Sequence, residues 1–216
     1  SGLELLAEVT ALARDLGVPV LLDAKRGDIG TTAEAYAQAY LADGPLAADA
    51  LTVSPYLGLD TLEPFVAAAR RGGRGLYVLV RTSNPGSGDV QGLELAGGGT
   101  VASRVAERLA ALAEGLEADD DGYTLLGAVA GAPADLPWLR AALPRSPLLV
   151  PGYGAQGAAG ADVAAAFDGR GHGALVSASR TLTYGPGFEE ARTFEEVAAM
   201  ARAAAVAMRD DVEAAL

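Results

Sequence analysis

Short apolar runs alternate with segments of helical periodicity along most of the chain, and this alternation restricts the fold more than any other feature. Six runs are typical of strands, at 18–22, 50–53, 75–80, 123–129, 148–150 and 173–176. Six segments around them are typical of helices, at 5–16, 31–41, 61–71, 100–116, 134–143 and 194–215. Strands that alternate with helices predict βαβ units and a parallel sheet.

The number of strands selects among the parallel-sheet folds. A (β/α)8 barrel has eight strands in ~250 residues, whereas this chain of 216 residues begins on a helix and has six predicted strands. We therefore predict an α/β fold with one domain over 1–216, a (β/α)8 TIM barrel whose first two βα units are absent from the sequence. An open six-stranded sheet is the alternative, although neither a Gly-x-Gly-x-x-Gly nor a Walker A pattern accompanies it.

Composition excludes several classes of function. The net charge of −12 argues against a nucleic-acid partner, because such proteins neutralise phosphates with Lys and Arg. The sequence has no cysteine for a thiolate metal site, and no apolar run approaches the ~20 residues of a membrane span. Its single histidine, His172, lies in a polar loop and is expected to be exposed rather than catalytic. No leader peptide is visible, so we expect a cytoplasmic protein with no membrane partner.

A charged hexapeptide, Asp23-Ala24-Lys25-Arg26-Gly27-Asp28, follows the first predicted strand. Residues i and i+2 of a strand point to the same side, so Asp23 and Lys25 are expected to share one face, with Asp28 just beyond on the loop. The active sites of barrels lie at this carboxyl end of the strands. The hexapeptide by itself leaves open a plainer interpretation, a weak ion pair on the surface.

Unusual polar residues also follow most of the other predicted strands. They occur at 54–55, 81–87, 131, 151–157 and 177–180. The last two loops are rich in glycine and serine and carry Arg180, which is the composition of a phosphate site built from backbone N–H groups. Plainer interpretations remain for single loops, since Arg81 could be a solvated loop residue and 152–157 a simple turn.

Five of these segments, in chain order, resemble the orotidine 5′-phosphate decarboxylases, in particular their longer bacterial subgroup. They are Leu22-Asp23-Ala24-Lys25-Arg26-Gly27-Asp28-Ile29-Gly30-Thr31-Thr32, Val53-Ser54-Pro55-Tyr56-Leu57-Gly58, Val80-Arg81-Thr82-Ser83-Asn84-Pro85-Gly86-Ser87, Val150-Pro151-Gly152-Tyr153-Gly154-Ala155-Gln156-Gly157 and Ser177-Ala178-Ser179-Arg180. Related sugar-phosphate lyases and aldolases share Asp-x-Lys-x-x-Asp. The third and fourth segments make the resemblance specific.

The resemblance implies a carboxy-lyase that converts orotidine 5′-monophosphate (OMP) to uridine 5′-monophosphate (UMP) without a cofactor or a metal, the last step of de novo pyrimidine nucleotide biosynthesis. Asp23 and Lys25 would face the carboxylate on C6 of the substrate. Asp28 would complete the charge array across the interface of a homodimer, with Ile29 and Thr32 beside it.

The resemblance also implies a set of substrate contacts. Ser83 would hydrogen-bond the pyrimidine, Pro85 would belong to a loop that closes over the ligand, and Pro151 would lie against the base. The phosphate would be held by Gln156, Arg180 and the backbone N–H of Ser179.

Two residues of the family have no counterpart in this sequence, a lysine on the preceding strand and an early aspartate that contacts the ribose. Both would lie in the two absent βα units. We expect that they exist in the real protein; the alternative is a truncated and inactive chain. Two other functions stay open at this point, an Mg²⁺-dependent sugar-phosphate lyase or aldolase of the same barrel superfamily and an inactive fragment that binds a phosphate ligand.

Overall fold

The computed structural model of the chain describes residues 1–154 and 158–216. Its strands are β1 Leu21–Arg26, β2 Ala50–Val53, β3 Gly75–Arg81, β4 Leu126–Ala130, β5 Leu148–Pro151 and β6 Ala174–Ser177. Its α-helices are α1 Gly2–Asp15, α2 Gly30–Leu41, α3 Glu63–Gly72, α4 Val101–Glu114, α5 Leu136–Ala142, α6 Gly160–Val163, α7 Arg180–Thr183 and α8 Phe194–Ala214. All six predicted strands and all six predicted helices are present, and sequence reasoning missed the short helices α6 and α7.

The strands form one parallel sheet in the order β1-β2-β3-β4-β5-β6. Each strand pairs with the next one along the chain, so the sheet is a half-barrel without the reversal of strand order that defines a doubly wound fold. The predicted α/β class and parallel sheet are confirmed. The two further βα units stay a prediction.

The hydrophobic core lies between one face of the sheet and the helices. Alternate residues of a strand point to opposite faces, and in β3 the side chains of Leu76, Val78 and Val80 are buried against the helices. Phe65 of α3 is fully buried in the same core. The other face of the sheet is its concave side, and the residues that alternate with the core positions point toward it.

The first strand lies further along the chain than predicted. The prediction ended it at Leu22, where the apolar run ends, but backbone pairing continues to Arg26, which lies opposite Val53 of β2. The backbone N–H of Ser54 also donates to the carbonyl of Arg26 at 2.7 Å. Charged residues of the hexapeptide are therefore part of the sheet, because main-chain hydrogen bonds rather than hydrophobicity set the end of the strand.

Local backbone geometry sets the end of α1 and the start of α2. Gly17 follows Leu16, the C-cap of α1, and has φ 68°, the left-handed conformation that commonly ends a helix. Helix α2 begins at Gly30 with Ile29 as its N-cap, so Thr31 and Thr32 lie in its first turn. Asp28 Oδ1 accepts the N–H of Ile29 at 2.8 Å, and this bond turns the chain into the helix one residue before the predicted start at residue 31.

Helical periodicity correctly predicted that α1 and α8 are helices, but most of the apolar side chains that produce this periodicity are not buried. The apolar side chains of Leu5, Val9 and Leu12 that predict α1 are more than half exposed. In α8, Val212 is the residue that is buried. Within the ranges that the structure describes, no helix has both the length and the hydropathy needed to cross a membrane.

Candidate active site

A cavity of about 440 Å³ opens on the concave side of the sheet, at the carboxyl ends of five of the six strands. Its wall is formed by Leu21, Asp23, Lys25, Thr82, Ser83, Asn84, Val129, Leu149, Pro151, Leu175, Ser177 and Ser179. Apolar side chains from β1, β4, β5 and β6 form its lower part, and polar groups from the following loops surround them. This combination of an apolar pocket with a few convergent polar groups is typical of a small-molecule site.

A second groove, of about 680 Å³, runs between α2 and α3 on the outer surface. Helix side chains line it, among them Glu34, Glu63 and Arg71, and none of the predicted catalytic or substrate-binding residues contributes to it. Although this groove is larger, active sites of parallel α/β barrels lie at the strand ends, so the strand-end cavity is the candidate active site.

Asp23 and Lys25 lie on the same side of β1 and form an ion pair in the wall of the cavity. Lys25 Nζ donates to Asp23 Oδ2 at 2.6 Å, and both side chains are about half exposed. The hydroxyl of Thr52 on β2 donates to the other carboxylate oxygen, Asp23 Oδ1, at 2.9 Å. An isolated surface pair has no such support from a buried hydroxyl on the neighbouring strand.

The backbone at Lys25 is unusual. Its φ is 48°, and among the described residues it is the one non-glycine residue in the left-handed region. The backbone N–H of Lys25 donates to Thr52 Oγ1 at 2.8 Å rather than to a main-chain carbonyl. Strained backbone at a strand end is often found at functional sites. Lys25 is also the single lysine in the sequence.

Arg81 fixes the loop that follows β3. Its Nε donates to Asp135 Oδ2 at 2.6 Å, and its Nη1 donates to Ser87 Oγ at 2.7 Å. Asp135 precedes α5 and also accepts the indole N–H of Trp138 at 2.9 Å. The interpretation of Arg81 as a solvated loop residue is therefore wrong, because the loop folds back over its guanidinium group.

Gln91 closes the same loop. Its Oε1 accepts the backbone N–H of Thr82 at 2.9 Å, and its Nε2 donates to Thr82 Oγ1 at 2.8 Å. The Thr82 hydroxyl in turn donates to Asn84 Oδ1 at 2.7 Å. Ser83 is held in the cavity wall between these two residues. Sequence reasoning missed Gln91, which carries no signal apart from its place in a polar loop.

The loops after β5 and β6 contact each other. The backbone N–H groups of Gly152 and Tyr153 donate to the carbonyl of Ser177 at 3.0 and 3.3 Å. Gly154 has φ 72°, and a Cβ on it would lie 2.6 Å from Thr181 Oγ1, so the close approach requires glycine. Gln156, predicted to bind the phosphate, lies outside the described residues.

Helix α8 holds the start of α6 and the loop before it through one carboxylate. Asp211 Oδ2 accepts the hydroxyl of Tyr153 and the backbone N–H of Gly160, each at 2.6 Å. Burial and then this hydrogen bond raise the pKa of Tyr153 to about 12. The Tyr153 hydroxyl and then the Gly160 N–H hold the pKa of Asp211 below its usual range. Sequence reasoning missed this contact, because Asp211 looks like any acidic residue on a helix surface.

Four predicted site residues do not form part of the cavity wall in the described structure: Asp28, Thr32, Pro85 and Arg180. Thr32 lies exposed in the first turn of α2, and Arg180 is the exposed first residue of α7. Five predicted residues do form part of the wall, namely Asp23, Lys25, Ser83, Pro151 and Ser179. Of these five, Asp23, Lys25 and Pro151 lie on strands, whereas Ser83 and Ser179 lie in the loops that follow β3 and β6.

His172 lies away from the cavity. It precedes β6 at the opposite end of the sheet and is about half exposed, with its Nδ1 3.3 Å from a carboxylate oxygen of Asp121. Across residues 1–154 and 158–216, no group of three or more His, Asp and Glu side chains is arranged to hold a metal ion. The polar side-chain groups in the cavity wall are an ammonium, a carboxylate, an amide and several hydroxyls.

Comparison with known proteins identifies the family. The model of the orotidine 5′-phosphate decarboxylase / HUMPS family matches residues 2–191. The orotidine 5′-phosphate decarboxylase of Deinococcus radiodurans is 50% identical over 217 residues, which cover 100% of this chain and 74% of that protein. The enzyme of the same name from Clostridium perfringens is 35% identical over 218 residues, again with 100% and 74% covered.

A solved structure gives the same result at the level of the fold. Leishmania donovani OMP decarboxylase superposes with a TM-score of 0.70 at 36% identity, covering 93% of this chain and 75% of that chain. Eight curated relatives all have the name orotidine 5′-phosphate decarboxylase, and the chain spans 62–74% of their lengths. The chain belongs to the orotidine 5′-phosphate decarboxylase / HUMPS family.

Proposed function

We propose that this protein decarboxylates OMP to UMP without a cofactor, as a carboxy-lyase of pyrimidine nucleotide biosynthesis. The observation that carries the proposal is the Asp23–Lys25 pair, with its 2.6 Å hydrogen bond, in the wall of a cavity flanked by two glycine- and serine-rich loops. The names of its curated relatives, at up to 50% identity, support the same reaction.

The chemical difficulty of this reaction lies at C6 of the pyrimidine. When the bond between C6 and the carboxylate breaks, CO₂ leaves and the electron pair stays on C6, where the ring carbonyls do not stabilise it by resonance. The ammonium of Lys25 places a fixed positive charge beside this pair and then transfers a proton from Nζ to C6, which gives UMP. The resulting neutral amine regains a proton from solvent.

Asp23 contributes to the same step in two ways. Its hydrogen bond to Nζ fixes the position of the ammonium before substrate arrives, and preorganised charge of this kind usually lowers an activation barrier more than any other single effect. Its own charge lies beside the carboxylate of OMP, and the repulsion raises the energy of the bound substrate. Departure of CO₂ relieves that repulsion.

The remaining residues bind the substrate away from the reacting carbon. We assign Ser83 to the pyrimidine, Pro151 to the face of the base and Pro85 to the loop that closes over the ligand. The phosphate is held by Arg180, Gln156 and the N–H of Ser179. Binding energy from the phosphate is then available to fix the geometry at C6.

A second copy of the chain completes the site in this proposal. Asp28 and Thr32 do not reach the cavity of their own subunit, yet they lie on the loop and helix start that directly follow β1. In a homodimer they enter the cavity of the partner, where Asp28 adds a second carboxylate beside the ammonium. A strictly monomeric protein with full activity would contradict this assignment.

We also propose that the half-barrel belongs to a complete (β/α)8 barrel of a cytoplasmic enzyme, with two βα units beyond this sequence. Three observations support it: β1 and β6 are the outer strands of the described sheet, Leu175 on the concave face is 46% exposed, and the apolar side of α1 faces solvent. The intact mass of the protein from its native source tests the proposal. A mass above 21.7 kDa by two βα units supports it, and a mass of 21.7 kDa contradicts it.

The test of the function is turnover by the Lys25→Ala variant of the whole protein as its gene encodes it. We expect conversion of OMP to UMP, followed by chromatography, to fall to near the limit of detection, while binding of UMP by calorimetry stays measurable. Arg104→Ala is the matched control, because Arg104 pairs with Glu107 on the exposed side of α4. Retained turnover in Lys25→Ala would refute the assignment.

The alternatives give different results in the same assay. An Mg²⁺-dependent sugar-phosphate lyase would lose its activity with a chelator and would not consume OMP. An inactive phosphate-binding fragment would bind UMP without any turnover. Neither is favoured, because the relatives that match the whole chain are named orotidine 5′-phosphate decarboxylase.

A further inference from the structure

We infer that Thr52 is a positioning residue for the Asp23–Lys25 pair, acting through one hydroxyl that bonds to both residues. The inference rests on the proposed function, since it concerns the pair that carries the chemistry there. Thr52 does not form part of the cavity wall, so it acts on the substrate only through Asp23 and Lys25.

The hydroxyl of Thr52 bonds to both residues of the pair. It donates its proton to Asp23 Oδ1 at 2.9 Å and accepts the backbone N–H of Lys25 at 2.8 Å. Thr52 has no exposed surface, so its hydroxyl is shielded from water. One buried hydroxyl therefore sets both the orientation of the carboxylate and the path of the backbone that carries the ammonium.

The pairing of β1 with β2 explains why this hydroxyl is needed. Leu22 lies opposite Leu51 and Arg26 lies opposite Val53, so residues 23, 24 and 25 of β1 face Thr52 alone. The β1 strand therefore bulges over the segment that carries both charged groups, a distortion that re-aims side chains next to active sites. The bulge takes the N–H of Lys25 out of the regular main-chain ladder, and the Thr52 side chain supplies its acceptor.

The left-handed backbone at Lys25 depends on the hydrogen bond to the Thr52 hydroxyl. A non-glycine residue at φ 48° stays there only when its surroundings hold it. Loss of the Thr52 hydroxyl removes the acceptor that holds the N–H, and it frees Asp23 Oδ1 at the same time. The ammonium then samples positions away from C6, and small misplacements of a catalytic group cost large factors in rate.

Thr52→Val and Thr52→Ala remove the hydroxyl, whereas Thr52→Ser keeps it. We expect the first two to lower kcat roughly tenfold to a hundredfold with KM changed less than about threefold, because substrate contacts remain. We expect Thr52→Ser to stay within about threefold of the wild type. The control is Thr124→Val, at a buried threonine before β4 at the other end of the sheet, which should leave both constants unchanged.

A second readout does not depend on turnover. In protein labelled with [¹⁵N]lysine, the signal that disappears in the Lys25→Arg variant is the backbone amide of Lys25, the single lysine of this sequence. We expect hydrogen exchange of this amide to be roughly tenfold faster in Thr52→Val and Thr52→Ala than in the wild type, and unchanged in Thr52→Ser and Thr124→Val.

The two readouts separate this inference from the proposed function. Faster exchange in the hydroxyl-free variants, reversed in Thr52→Ser, together with the loss in kcat, supports the positioning role. Faster exchange with no OMP turnover in any protein, wild type included, refutes the proposed function but supports the structural hold of Thr52 on the pair. Unchanged exchange, or wild-type kcat in Thr52→Val, overturns the inference.

Discussion

The tether of the loop after β3, formed by Arg81 and Asp135, offers a quantitative test of how Ser83 is held in the cavity wall. Asp135→Asn removes the negative charge that faces Arg81 Nε at 2.6 Å while keeping the volume of the side chain. The arginine keeps its hydrogen bond to Ser87, so the substitution weakens the tether without abolishing it. We expect a moderate loss of stability and a weaker hold on Ser83.

The exposure of the Arg81 and Asp135 side chains sets the size of the expected loss in stability. The side chains of Arg81 and Asp135 are 23% and 28% exposed, which lies between a solvated pair and a buried one. Solvated pairs contribute about 0–1 kcal/mol and broken buried pairs cost about 3–5 kcal/mol, so we expect a loss of about 1–2 kcal/mol in the free energy of unfolding. For a chain of this size that corresponds to a fall in Tm of about 3–6 °C.

The assay combines thermal unfolding with steady-state kinetics. We expect Asp135→Asn to raise KM for OMP roughly threefold to tenfold, because ordering the loop around Ser83 then costs binding energy. Asp43→Asn is the matched control, since Asp43 pairs with Arg74 but is fully exposed, and it should leave Tm within about 1 °C and KM unchanged. Equal effects of the two variants, or none in Asp135→Asn, would refute the tether.

Two further predictions concern the contact of α8 with the loop after β5. Burial and the bond to Asp211 raise the pKa of Tyr153 to about 12, and the same bond lowers the pKa of Asp211. The bond therefore contributes fully to stability between pH values of about 4 and 10, the pKa values of aspartate and tyrosine in the unfolded chain. This contribution is lost as pH falls through the folded pKa of Asp211, and it is lost again as pH rises from about 10 towards about 12. A Tyr153→Phe variant whose deficit in unfolding free energy does not shrink at both extremes would contradict this. A Cβ on Gly160 would overlap the carbonyl oxygen of Asp211, so Gly160→Ala should lower Tm. Gly169→Ala, in open space, should not, and equal Tm values for the two variants would exclude the close contact.

Periodicity and loop motifs predicted the order of elements and five residues of the cavity wall. The βαβ alternation was sufficient for the parallel sheet, because strands of that kind need helices between them. The i, i+2 spacing placed Asp23 and Lys25 on one side of β1, although the strand there is not regular. The i, i+2 rule still holds because the bulge lies opposite Thr52 alone and regular pairing of the two strands resumes at Arg26.

Long-range contacts account for what the sequence did not predict. Thr52 looked like an ordinary strand residue, and its role depends on the register of β1 against β2. Asp135 and Asp211 lie far along the chain from the groups they bind, Arg81 and Tyr153, and no local pattern links them. The polar residue Thr52 in the middle of an apolar strand was the one feature of the sequence that could have indicated a role for this position.

The central claim is that the Asp23–Lys25 pair promotes the loss of CO₂ from OMP and that the Lys25 ammonium then protonates C6. The most direct measurement is turnover of OMP in D₂O by the wild-type protein and by Lys25→Ala, with the UMP analysed by mass spectrometry. The account predicts UMP with one deuterium at C6 from the wild type, insensitivity to a chelator, and almost no UMP from the variant. Wild-type protein that forms no UMP, or a variant that forms it at the wild-type rate, would contradict the account.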